Sequence, residues 1–153
     1  MRTTSEFHRS HLHESDDVLC RRYADDGYLL IKQAVSPQYC HALRDDMLAV
    51  LSPHVEFDKI QAKPLLCGEP FYESDEIWET VYPQIQQLES FHRFFHQHWM
   101  LQIMARVQGC EPWVYPIKMA RIATPRMLGY ETPPHQDAYS HHAGPTMAGV
   151  WVA

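Results

Sequence analysis

The apolar residues of this chain change period at Gly109, and few folds accommodate both halves. Before Gly109 they recur at helical spacing. Phe91, Phe94 and Phe95, then Trp99, Leu101, Ile103, Met104 and Val107, form a broad apolar surface, with His92, His96 and His98 on its wetter side. Beyond Gly109, Trp113, Tyr115, Ile117, Met119 and Arg121 alternate with Val114, Lys118, Ala120 and Ile122, which is the two-residue period of a strand. Helices first and strands later, within 153 residues, read as one α+β domain, because a single core serves roughly 100 to 200 residues.

The helical half divides at its punctuation. Residues 1–14 are polar, His-rich and without period, and read as a mobile arm. Ser15 precedes Asp16 and Asp17, a helix start with acids in its first turn, and Asp26-Gly27 ends that helix. Tyr28-Leu29-Leu30-Ile31 is a short apolar strand. Ser36-Pro37 opens a helix to about Leu51, with Cys40, Leu43, Met47, Val50 and Leu51 as its buried stripe. Residues 54–72 contain Pro64, Gly68 and Pro70 and read as a loop. Ser74 starts another helix, which Pro83 should interrupt.

Charge and composition exclude several functions. Thirteen Lys and Arg against 19 Asp and Glu leave a formal net charge of -6. That is not the electrostatic footprint of a nucleic-acid binder. No apolar run approaches the ~20 residues of a membrane span. No secretory signal follows Met1, and the four cysteines, at 20, 40, 67 and 110, have no C-x-x-C spacing. Reduced thiols and a cytoplasmic location are the expectation.

Eleven histidines are the compositional outlier. With nine Asp in the chain, chance alone gives about 0.6 His-x-Asp tripeptides, so His135-Gln136-Asp137 is informative only in context. On a strand, residues two apart point the same way, so His135 and Asp137 present an imidazole nitrogen and a carboxylate oxygen side by side. Those are two corners of the 2-His-1-carboxylate face that suits non-haem Fe(II).

The order of these features resembles the N-terminal part of the phytanoyl-CoA dioxygenase family, a branch of the Fe(II)/2-oxoglutarate-dependent dioxygenases. Asp26-Gly27-Tyr28-Leu29-Leu30-Ile31 with Val35-Ser36-Pro37 resembles the family's opening, and residues 99–109 the helix and glycine before its barrel. Pro134-His135-Gln136-Asp137-Ala138-Tyr139 resembles its metal strand, and Gly149-Val150-Trp151-Val152-Ala153 the strand that follows. The resemblance implies a double-stranded β-helix, or jelly roll, with N-terminal helices packed outside, in a domain spanning 15–153 that is helical to about residue 110. It implies Fe(II) on His135 and Asp137. Met119 and Trp151 match positions lining the 2-oxoglutarate pocket, and Lys118 and Arg121 are further candidates for it. The implied activity is hydroxylation of a small-molecule C–H bond with O2; a carboxylate at 137, where related halogenases have a small residue, argues for hydroxylation.

The family later supplies a second metal His and an Arg that clamps the cosubstrate's far carboxylate, whereas this sequence stops at Ala153. The expectation is a jelly roll incomplete at its C-terminus: a truncated product, a fragment, or a module completed by a second chain. His141 and His142 are not assigned as replacements. A small cupin-like metal protein using another His, or a non-catalytic fragment, are the alternatives.

Overall fold

In a computed structural model the chain is described at residues 6–58, 65–67, 69–123, 133, 135, 137, 142, 144 and 146–152. The described elements, in order, are β1 (Arg9–Ser10), α1 (Asp16–Asp26), β2 (Leu30–Ile31), α2 (Pro37–Leu51), β3 (Glu56–Asp58), β4 (Leu65–Cys67), α3 (Glu76–Gln86), α4 (Glu89–Phe95) and α5 (His98–Gln108). β1 and β2 pair in parallel, Arg9 with Leu30 and Ser10 with Ile31. β3 and β4 pair antiparallel within the stretch read from sequence as a loop. Three-residue strands are too short to show an alternation, so that hairpin left no periodic signal.

Glycines end two of the helices where the punctuation places them. Gly27 and Gly109 adopt φ of 75° and 68°, the left-handed region that a Cβ disfavours, and each donates its N–H to the carbonyl four residues back. Pro37 occupies the first turn of α2, where its missing N–H leaves no bond unmade. Pro83 behaves differently from expectation, since α3 runs through it. Such a proline removes a backbone bond and crowds the carbonyl four residues earlier. Val81 and Ile85, both fully buried, flank it and hold the helix on the core.

The core has two apolar centres. Leu51, Phe71 and Val81 form one, joined by Leu48, Val55, Ile77 and Trp78. Ile85, Phe91 and Ala120 form the other, joined by Leu43, Met47, Tyr82, Leu88 and Phe95. Val50 and Ile122 pack against both. α1 lies against α5, with Leu19 and Val107 buried and the Cys20 thiol donating to Arg106 O at 3.0 Å.

The segment read as an arm is tied down from residue 9 onward by two arginines. Arg106 donates to Asp16 Oδ1 at 2.6 Å, Leu12 O at 2.8 Å and Glu14 O at 2.7 Å, bridging more than 90 residues of chain. Arg22 makes a two-pronged contact with Glu14, at 2.8 and 3.0 Å, and reaches Ser10 Oγ at 2.7 Å. A fork of parallel N–H donors fits a carboxylate better than a point charge does. Arg22, and behind it the His11 N–H, hold the Glu14 carboxyl down to about 2, from 4.5.

Two outcomes follow for stability. Ile85→Ala removes a side chain with no exposed surface and should cost about 2 to 5 kcal/mol in chemical denaturation. Between about 4.5 and about 2 the folded chain keeps Glu14 ionised where the unfolded chain protonates it, so its contribution is complete above about 4.5 and is lost as pH falls towards about 2. Unfolding midpoints measured across that window should drop in the wild type and drop less in Arg22→Met; equal slopes would show that the fork adds nothing.

Candidate functional site

Residues 113–123 run along the helical frame with alternate side chains inward. Ala120 is buried and Ile122 half-buried, while Trp113, Ile117, Met119 and Arg121 face outward. Gln86 Nε2 of α3 donates to Lys118 O at 3.0 Å and fixes the register. The alternation is that of a strand, but no strand pairing occurs here among the described residues.

Of the four residues matched to a cosubstrate pocket, Met119 is 65% exposed and Trp151 76% exposed. The Lys118 ammonium turns onto its own segment, donating to Tyr115 O at 3.3 Å and Pro116 O at 3.4 Å. Arg121 Nη1 lies 3.6 Å from Glu73 Oε1, and its charge also reaches His135. The described contacts do not gather these four around a common cavity.

His135 and Asp137 do come together. His135 Nε2 is 3.1 Å from Asp137 Oδ1, and His135 Nδ1 is 2.8 Å from Pro133 O. The route differs from the strand that the sequence suggests. His135 lies outside any regular element and Asp137 has helical backbone conformation. The imidazole folds back on the carbonyl two residues earlier, and this local contact, rather than the pleat of a sheet, aims Nε2 at the carboxylate.

Both ring nitrogens face acceptors, so the doubly protonated ring satisfies both contacts. Accordingly the His135 pKa is raised above its ordinary 6.5, first by the Pro133 carbonyl and then by Asp137, against desolvation and the Arg121 charge. The Nδ1–H bond to a carbonyl is also the arrangement that leaves Nε2 as the metal-facing nitrogen. Two donors about 2.1 Å from one ion and at right angles lie roughly 3.0 Å apart, close to the separation seen here. The pair therefore fits adjacent corners of a metal face. Among the described residues, no group of three His, Cys, Asp or Glu side chains gathers around a metal-sized space. His142 is exposed with φ of 50°, and His141, with most of the 124–134 loop, lies outside the described residues.

Two contacts around the site were not read from sequence. One is the pairing of Arg121 with Glu73. The other involves Gly149, whose position beside Asp137 Oδ2 is shown by a 3.3 Å approach of a Cβ built there. A glycine inside an apolar, strand-like run is a sign of close backbone approach, and that was the available signal.

A protein-family model described as phytanoyl-CoA dioxygenase (PhyH) matches residues 23–153. No curated protein and no solved structure matches the chain. The matched stretch begins within α1 and takes in β2, the helical frame, His135, Asp137 and Gly149. The chain belongs to the phytanoyl-CoA dioxygenase family, whose members are in general Fe(II)- and 2-oxoglutarate-dependent oxygenases.

Proposed function

We propose that His135 Nε2 and Asp137 Oδ1 are two of the protein ligands of a catalytic Fe(II), in a jelly-roll dioxygenase that hydroxylates a C–H bond of a small molecule with 2-oxoglutarate and O2. The observation that carries this is the convergence of the two donors at 3.1 Å with Nδ1 anchored on Pro133 O. Bound there, iron and its 2-oxo-acid cosubstrate supply the oxidising chemistry. The chain's own residues hold and orient them. The third protein ligand comes from outside the described residues, or from a second chain completing the barrel, and so does the arginine that grips the distal carboxylate. Met119 and Trp151 border the cosubstrate in that arrangement. Their exposed apolar surface, with that of Trp113 and Ile117, supports a further layer covering this face.

His135 performs a definite proton task. The Pro133 carbonyl and Asp137 both favour the doubly protonated His135 ring, in which the Nε2 proton faces Asp137. To hold a metal, His135 Nε2 would give up its proton to solvent, while the Nδ1–H would stay on Pro133 O. Binding is therefore coupled to loss of one proton. The sign is fixed by the raised pKa of His135: affinity is full above that pKa and falls as pH drops below it, by up to about tenfold per unit for one proton.

Anaerobic Fe(II) titration of the chain, His135→Ala and Asp137→Ala tests this directly. Each variant should lose more than the roughly 10- to 100-fold that removal of a mere outer-sphere partner costs. Wild-type affinity should decline as pH falls below the raised His135 pKa, and His135→Ala should lose that slope. Affinity retained in His135→Ala would favour a cupin-like site built on another histidine. No Fe(II) affinity in the wild type would mark a non-catalytic module.

A further inference from the structure

We propose that Gly149 is a positioning residue for the Asp137 carboxylate, and that having no side chain there lets Oδ1 stay opposite His135 Nε2. The inference rests on the reading of His135 and Asp137 as metal ligands. A Cβ built on Gly149 falls 3.3 Å from Asp137 Oδ2. Unstrained heavy-atom contacts sit at about 3.5 to 4.0 Å, so the carboxylate or the 149 backbone would have to give by a few tenths of an ångström. The other oxygen of the same carboxylate is the one 3.1 Å from Nε2. The two oxygens share one carbon and move as a rigid plane. Pushing Oδ2 away from residue 149 therefore turns Oδ1 off the imidazole.

Backbone freedom is not what residue 149 needs. The positive-φ glycines of the described chain are Gly27 and Gly109; Gly149 lies outside that region, so alanine fits its backbone without strain. Gly144 supplies the comparison. It too lies outside the left-handed region, and a Cβ there meets nothing within 4 Å. Of these two neighbouring glycines, only the one facing the carboxylate is sterically constrained.

The test is Co(II) affinity by chelator competition, on the full chain, for wild type, Gly149→Ala, Gly149→Val, Gly144→Ala, Asp137→Ala and the double variant Asp137→Ala/Gly149→Ala. Gly149→Ala should weaken binding several-fold and Gly149→Val on the order of 10- to 100-fold, the range for lost outer-sphere support. Gly144→Ala should match wild type. In the Asp137→Ala background the 149 substitution should have no further effect, which assigns its action to the carboxylate. Thermal midpoints of the two alanine variants should agree, so that folding does not account for the difference; if valine lowers its own midpoint, alanine alone carries the test. Wild-type affinity in Gly149→Ala while Asp137→Ala is weakened would overturn the role of Gly149 and leave the metal ligands standing. An equal loss from Gly149→Ala with and without Asp137 would overturn it as well. Undiminished affinity in Asp137→Ala would remove the metal reading first, and this inference with it.

Discussion

Ile122 packs against both apolar centres of the helical frame, and the direction in which Arg121 leaves that frame depends on this contact. Ala120 is buried beside Ile85 and Phe91, and Gln86 holds the carbonyl of Lys118, so residues 118–122 are pinned at three points on the same side. Between the buried Ala120 and the half-buried Ile122, Arg121 is left to point outward. There it meets Glu73, and its charge reaches His135. Packing of Ala120 and Ile122 thus decides where a cation stands relative to the candidate metal pair.

That cation opposes the other influences on His135. The Pro133 carbonyl and Asp137 favour the imidazolium; Arg121 and desolvation disfavour it. The net effect raises the pKa, so protons compete for Nε2 up to a higher pH than at a free imidazole. The same carbonyl that raises the pKa also fixes which nitrogen the metal meets. One short contact therefore orients the ligand and sets the pH at which it becomes available. Arg22 and Arg106 hold the N-terminal arm against α1 and α5, remote in sequence from residue 135.

The helices were legible because their signals are local. Ser36-Pro37, Gly27 and Gly109 act through their own backbone; α1 and α2 begin and end, and α5 ends, at or near the residues that punctuation indicates. The family was legible from the order of short motifs. What sequence could not supply was long-range pairing. The arm's attachment depends on Arg106, more than 90 residues away, and the β3–β4 hairpin on strands too short to show a period. Pro83 was misleading as a helix breaker, since the burial of Val81 and Ile85 outweighs a lost backbone bond. At the site, the neighbourhood of His135 and Asp137 followed from spacing, but its geometry did not: a ring folded onto Pro133 O, not a pleated strand, joins them. No local pattern links Glu73 to Arg121, because their pairing exists only after the chain has packed.

The central claim is that His135 and Asp137 hold iron so that a 2-oxo acid can bind beside them. A 2-oxo acid chelated to Fe(II) gives a visible charge-transfer band, which neither component gives alone. Spectra should therefore be recorded without oxygen, with Fe(II) and 2-oxoglutarate added to the chain, to His135→Ala and to Asp137→Ala. The account predicts the band in the wild type, at high protein concentration if a second chain completes the site, and its absence in both variants. A band of equal intensity in either variant, or none in the wild type at any concentration, would contradict it.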